Sequence, residues 1–186
     1  MTGWSSFTQI LDSEPQIERI LQQSKEALGD DFEAYRHHVY RLFNLAVHLS
    51  AATGKDRLKL ATAAAFHRIA IWSQESMDYV QPSIEAAARF LAETKRKDWI
   101  FDVSLMISEH HKLSKFRGPS ADLVNAFRVS VWMDITCFKL PHRVHKPYIE
   151  SLLESFPRMG FHKRLWELAR IWAFQHPFRP LPMVKF

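Results

Sequence analysis

Apolar residues recur at every third or fourth position along most of the chain, which is the period of an amphipathic α-helix. No segment of useful length alternates apolar and polar residues, so we expect no β-sheet. The pattern therefore predicts an all-α protein. Its clearest apolar stripe consists of Phe32, Tyr35, Val39, Leu42, Phe43, Ala46 and Leu49.

Glycines, prolines and capping residues divide this pattern into separate helices. The third helix is apolar on nearly all sides, so we expect it at the centre of a bundle. We expect one compact domain over residues 1–186, with its core at about 30–176 and an extended, proline-rich tail at 177–186. Helices are predicted before Gly29, at about 32–49, 56–72, 82–95, 98–113 and 122–138, between Pro141 and Gly160, and at about 161–176.

Composition narrows the classes of partner. Of the 186 residues, 47% are hydrophobic and 24% charged, as in an ordinary globular protein, and the net charge of +5 favours a small anionic ligand. The positive charge is dispersed, and its one run of three, residues 95–97, lies at a predicted helix end, where cations are favoured. We therefore expect no nucleic-acid partner. Cys137 is the sole cysteine, which excludes an intrachain disulfide and a cysteine-based zinc site.

The chain contains no apolar stretch long enough to span a bilayer, and its first 16 residues lack the apolar region of a secretory signal. We therefore expect a cytoplasmic protein without a membrane partner. Trp4, Phe7 and the aromatic C-terminal tail are candidates for contact with a second copy in a homodimer.

Two groups on the apolar faces are costly to bury. Arg68 follows His67 on the inward side of the third helix, and Asp134 lies within the apolar run 129–138. A guanidinium keeps its proton, so an inward arginine needs a carboxylate, a phosphate or a water-filled cavity. One interpretation is an internal ion pair between Arg68 and Asp134; the other is a ligand site.

Histidines on other helices also face inward. His38 borders the apolar stripe, His110 points to the core, and His111 lies at the edge. A buried histidine is often structural, but one polar group from each of several helices is how helical bundles build ligand sites. We therefore predict a central pocket. The polar face of the second helix carries His37, Arg41, Asn44 and His48, and we expect its two histidines to be solvated.

Three segments resemble the HD-domain superfamily of metal-dependent phosphohydrolases, and most closely its small stand-alone bacterial members. They are residues 35–41 (YRHHVYR), 64–72 (AAFHRIAIW) and 109–112 (EHHK). The resemblance runs from about residue 30 to the tail at 181–183 and implies an HD-type helical bundle. It rests on the order and spacing of these motifs.

In that superfamily, a histidine, a His-Asp doublet and a distant aspartate bind the metal. His38 and His67 match the two histidines, but Arg68 stands at the aspartate of the doublet. Val131 stands at the distant aspartate, unless the helix is shifted by one turn so that Asp134 matches. His110 and His111 resemble the extra histidines that some members use for a second metal.

The arginine changes what this resemblance implies. It supplies only donors and a positive charge, and at roughly 5 Å it repels a divalent cation by several kcal/mol. We therefore expect no cofactor; a residual iron, manganese, zinc or nickel site would use His38, His67 and His110. Arg68 can instead bind a phosphate or carboxylate bidentately, with His67, His110 and Lys112 as further donors.

Several functions remain open at this point. The first is a binding protein for a small anion or a partner, without standard phosphohydrolase activity. The second is a metal-independent enzyme in which His67 or His110 acts as acid or base and Arg68 as a clamp. The third is a metallohydrolase or oxygenase with replacement ligands. Residues 78–83 resemble a loop that lines the pocket mouth, or form a turn with Pro82 at a helix start.

Overall fold

The computed structural model describes residues 9–140 and 142–178, and within these ranges the chain forms helices and no strands. The all-α prediction is confirmed. Two short 3-10 segments, Gly29–Asp31 and Lys97–Trp99, precede the third and seventh helices. The helices are α1 (Pro15–Gln23), α2 (Lys25–Leu28), α3 (Phe32–Ser50), α4 (Gly54–Phe66), α5 (Ala70–Ser73), α6 (Val80–Glu93), α7 (Ile100–Glu109), α8 (Ala121–Ile135), α9 (Lys146–Ser155) and α10 (Phe161–Gln175).

Helices α3 and α8 pack along each other at the centre, and α4 and α7 complete the core. Helix α1 packs on α4, α6 on α7, and both α9 and α10 on α3. From Leu60 to Phe66 every residue of α4 is buried, which confirms the central position expected for this helix. Helices α3, α4, α7 and α8 therefore form the interior of the bundle.

The structure corrects the third predicted helix, which was expected to run unbroken over residues 56–72. Helix α4 ends at Phe66, and α5 begins only at Ala70. The amide of Ile69 bonds the carbonyl of Phe66 at 3.1 Å, three residues back, so the chain tightens here into 3-10 geometry. His67 and Arg68 lie in this interruption.

Two side chains explain why the helix stops. The hydroxyl of Tyr35 donates to the carbonyl of Ala65 at 2.9 Å, and His67 Nδ1 bonds the carbonyl of Ala64 at 2.8 Å. In a continuous helix these carbonyls would accept from the amides of Ile69 and Arg68. Because a tertiary contact and a side chain take both acceptors, the helical ladder ends.

Smaller differences concern helix ends. Asp98 does not cap the fifth predicted helix, because it lies within a 3-10 turn and α7 starts at Ile100. Helix α7 ends at Glu109 rather than near 113, and α8 ends at Ile135 rather than near 138. Left-handed φ angles of 54° and 62° at Cys137 and Phe138 stop α8.

Several predictions fall outside the described residues, including those on Trp4, Phe7, Pro141 and the end of the tail. Within the described residues, none of the helices has the length and apolarity needed to cross a membrane.

Candidate functional site

The predicted polar residues meet where α3, the turn after α4, the end of α7, and α8 come together. His38, His67, His110 and Asp134 are fully buried, and Arg68 is 4% exposed. His111 is half-buried beside them. Of the predicted ligand-binding residues, Lys112 does not join the cluster: its side chain is 52% exposed and pairs with Glu109 at 2.8 Å.

Short polar contacts link the carboxylate to the two histidines. His38 Nδ1 lies 2.7 Å from Asp134 Oδ2, and His38 Nε2 lies 3.3 Å from His67 Nε2. Because the carboxylate is the closer and charged acceptor, the proton of a neutral His38 resides on Nδ1. Nε2 of His38 and Nε2 of His67 then face each other with lone pairs and no proton between them, and His67 Nε2 accepts from Arg68 instead.

The partner of Asp134 is Arg41, not Arg68, so the predicted ion pair was assigned to the wrong arginine. Arg41 Nε and Nη2 reach the two carboxylate oxygens at 2.6 and 3.1 Å, a bidentate arrangement in which both residues are fully buried. Nη1 of Arg41 donates to the carbonyls of Phe156 and Pro157. All three groups of this guanidinium are therefore satisfied within the protein.

The sequence pattern placed Arg41 on the polar face of its helix and so did not identify it as a partner of Asp134. Helix α3 is covered on several sides, and its buried residues run almost without interruption from residue 38 to 47. Asn44 is buried as well, and its amide binds both the amide and the carbonyl of Leu11. His37 and His48, expected to be solvated, are half-buried; His37 Nδ1 bonds the carbonyl of Pro157 and His48 stacks on Tyr148.

Arg68 has a different environment from Arg41. Its Nε donates to His67 Nε2 at 3.2 Å, and its guanidinium lies 5.6 Å from the centre of the Tyr79 ring. Within residues 9–140 and 142–178, no carboxylate pairs with Arg68 and its terminal nitrogens make no hydrogen bond. These nitrogens are free to bind an anion.

Tyr79 joins the cluster although it was not among the predicted site residues. It is fully buried, and its hydroxyl lies 2.5 Å from His111 Nε2 and 3.5 Å from His110 Nε2. It directly precedes α6, which contains Pro82 in its first turn. The helix-start interpretation of residues 78–83 is confirmed, because α6 begins at Val80. The pocket-mouth interpretation is not: Tyr79 reaches the histidines from a fully buried position, and none of these residues lines the cavity described below. The sequence feature that could have identified Tyr79 is its position as an aromatic residue next to a predicted helix start.

Burial keeps the histidines of the cluster neutral at pH 7. It lowers the pKa of His38 and of His111 to about 3, with Arg68 contributing to both shifts. It also lowers the pKa of His67 and of His110 well below the usual value. Burial alone would raise the pKa of Asp134, but Arg41 and the hydrogen bonds of two histidines hold it well below its usual range.

A cavity of about 340 Å³ opens beside the cluster, between the turn after α4, α8 and α10. Its polar lining consists of Arg68, His110, His111 and His162. The apolar lining consists of Met77, Val131, Trp132, Ile135, Leu165, Trp166 and Ala169. No acidic side chain is among these described lining residues.

A larger cavity of about 550 Å³ lies between α5 and α10, and it contains Asp31, Glu75 and Arg164. Its one described cation is already paired, since Asp31 accepts from Arg164 and from the indole of Trp72, both at 2.9 Å. We therefore place the candidate site in the smaller cavity, where a buried cation lacks a partner.

The residues do not fit the metal centre that the HD resemblance implies. The Asp134 carboxylate is held by Arg41 and His38, and the lone pair of His67 Nε2 accepts from Arg68. Across the described ranges, no three His, Cys, Asp or Glu side chains are grouped to hold a metal ion. Arg68 and Val131 bring a cation and an apolar group to the cavity, where a metal needs anionic oxygen ligands.

Comparison with protein-family models, curated proteins and solved structures found no match to this chain.

Proposed function

We propose that this protein is an HD-type helical bundle that binds a small anionic ligand at Arg68 and lacks standard metal-dependent phosphohydrolase activity. The observation that carries the proposal is the buried guanidinium, 4% exposed, with no carboxylate partner among the described residues. A permanent charge in such a position is costly unless an anion or water compensates it.

The surroundings of Arg68 favour an anion as the compensating group. Its Nε is fixed by His67, and the ring of Tyr79 lies beside it, so the terminal nitrogens are oriented before a ligand arrives. His110 and His111 are neutral and also line the cavity, where they can hydrogen-bond a ligand without adding charge. Asp134, the nearest buried carboxylate, is already neutralised by Arg41.

The proposed lack of hydrolysis has a separate physical basis. Metal-dependent phosphoryl chemistry needs a divalent cation that activates water and neutralises developing charge. Here a guanidinium donates to the histidine nitrogen that would act as a ligand. The two cations would compete for one position, and the guanidinium cannot leave by losing a proton.

Binding of simple anions tests the first half of the proposal. We expect calorimetric titration with acetate, benzoate, inorganic phosphate and phenyl phosphate to detect binding of at least one anion to the wild-type protein. Arg68→Gln should weaken that binding about 10- to 100-fold, the usual loss for a charge-assisted hydrogen bond. Arg89→Gln, which removes the same charge from an exposed position on α6, should not change it. Equal affinity in all three proteins would exclude the proposed site.

The second half is tested by the variant Arg68→Asp/Val131→Asp, which places two carboxylates beside His38 and His67. We expect it to bind manganese or iron at least tenfold more tightly than the wild-type protein, measured by titration and elemental analysis. Arg68→Asn/Val131→Asn is the control, because it removes the cation without adding charge. Stoichiometric metal in the wild-type protein, with hydrolysis of a phosphate ester, would contradict the proposal.

A further inference from the structure

The cavity has a composition that narrows the class of ligand. We infer that it takes a monocarboxylate carrying a flat apolar body of about one to two rings, rather than a phosphate ester. This inference rests on the proposed function, since it assigns chemistry to the anion that Arg68 would bind. Its support comes from the charge, the walls, an unpartnered donor and the volume of the cavity.

The first support is the count of charges. Among the described residues that line the cavity, Arg68 is the one permanently charged group, and His110 and His111 remain neutral at pH 7. One guanidinium matches one carboxylate, both in charge and in its bidentate geometry. A phosphate dianion would bring a second charge into a cavity that offers it no cation, and leaving a charge uncompensated is costly.

The second support is the character of the walls. Val131, Ile135, Leu165 and Ala169 line the cavity with aliphatic side chains from α8 and α10. Trp132 and Trp166 add two indole rings, and Trp166 is 77% exposed. Trp166 therefore lies at the open side. Such walls stabilise a flat hydrocarbon group, and their aliphatic side chains give no hydrogen bonds to the hydroxyls of a sugar.

The third support is a donor without an acceptor. Trp132 Nε1 is buried and makes no hydrogen bond to any described residue. An indole nitrogen can only donate, so it requires an oxygen, and an unpaired buried donor costs free energy. Because Trp132 also lines the cavity, a rotation of its side chain would turn this donor towards a carboxylate oxygen held near Arg68.

The fourth support is size. The volume of about 340 Å³ lies at the lower end of the range for small-molecule sites, about 300–1,000 Å³. A ligand of one or two rings fits this volume, whereas a dinucleotide does not.

A matched set of probes tests the inference at pH 8, where phenyl phosphate is a dianion. Benzoate and 2-naphthoate should bind. The affinity of the tighter-binding one should be at least about tenfold higher than that of acetate, phenyl phosphate or the uncharged benzamide. Acetate has the carboxylate without the ring and so tests the apolar walls. Phenyl phosphate has the ring with a phosphate in place of the carboxylate, and benzamide has the ring without a charge.

Two variants localise the binding. Trp132→Phe keeps an aromatic side chain in the wall but removes the N–H donor, and it should weaken the binding of benzoate about fivefold. Trp72→Phe is its control, because Trp72 donates to Asp31 outside this cavity. An unchanged benzoate affinity in Trp132→Phe would show that the indole nitrogen does not bind the carboxylate, and would contradict this part of the inference.

The outcomes separate the inference from the proposed function. If phenyl phosphate or inorganic phosphate binds more tightly than the carboxylates and Arg68→Gln abolishes that binding, the ligand class is wrong while the anion site stands. If no probe shows affinity that depends on Arg68, both the inference and the proposed function fail.

Discussion

Arg41 and Arg68 are buried arginines with opposite surroundings. All three nitrogens of the Arg41 guanidinium donate hydrogen bonds within the protein, to Asp134 and to two backbone carbonyls. Arg68 makes one hydrogen bond to His67 and otherwise faces a cavity. The first therefore has a structural role, and the second is the candidate for ligand binding. The sequence placed Arg68 inward with Asp134 as one possible partner and Arg41 on the polar face, whereas Arg41 is the residue that holds Asp134.

Removal of Arg41 should strongly destabilise the protein. Arg41→Met leaves the fully buried carboxylate of Asp134 without its cation, and we expect a loss of about 3–5 kcal/mol in the free energy of unfolding. Arg36→Met is the matched control, since Arg36 pairs with Glu18 at a partly exposed site, and should cost at most about 1 kcal/mol. Urea denaturation measures both. Equal losses would show that the buried pair is no more important than the surface pair.

Helix α10 closes the site from one side, and only one of its faces is anchored. Phe161 stacks on His38 with ring centres 4.0 Å apart and an angle of 17°, and it also contacts Trp72. Along the opposite face, Trp166 and Phe174 are 77% and 89% exposed. The sequence predicted the limits of this helix to within one residue, because Gly160 and Pro177 flank it.

Two phenylalanines of this helix provide an internal comparison. Phe161→Ala removes a fully buried ring and should cost about 3–5 kcal/mol in the free energy of unfolding. Phe174→Ala removes an exposed ring and should change it by no more than about 0.5 kcal/mol. Urea denaturation followed by far-UV circular dichroism measures both. A large effect of Phe174→Ala would mean that its face is covered in solution, and a small effect of Phe161→Ala would contradict the packing described.

On the scale of the whole molecule, the interior holds a set of neutral histidines. Burial disfavours the charged imidazolium and is the main reason that the pKa values of these histidines are lowered. The histidines are His38, His67, His110 and His111. In the unfolded chain each would titrate near 6.5. Below that pH the unfolded state binds more protons than the folded state, so stability falls as the pH falls.

The folded protein should therefore lose stability in mild acid. Each buried histidine contributes a slope of up to about 1.4 kcal/mol per pH unit between its unfolded pKa near 6.5 and its folded pKa, which for His38 is about 3. Urea denaturation at several pH values from 7.5 down to 4.5 measures the summed slope. His38→Asn should reduce this slope by up to about 1.4 kcal/mol per pH unit, while Phe174→Ala, which changes an exposed side chain that does not titrate, should leave it unchanged. An unchanged slope in His38→Asn would show that His38 is protonated in the folded state.

The fold was largely predictable from the sequence, because helical periodicity and helix ends are local properties. The apolar stripe of α3, the all-round apolar α4 and the glycine before α10 each specified an element without reference to the rest of the chain. The inward direction of His38, His67, Arg68, His110 and Asp134 followed from the same periodicity. Helix α4 was predicted too long, because the contacts that end it come from Tyr35, which lies 30 residues before Ala65.

Tertiary structure alone decided which polar groups pair. Asp134 is 93 residues from Arg41 and 66 from Arg68, and periodicity gives the face of a residue but not its partner on another helix. The coverage of α3 on several sides placed Arg41 inside, and so left Arg68 without a carboxylate. The candidate site exists because this assignment of ion pairs leaves one buried cation facing an open cavity.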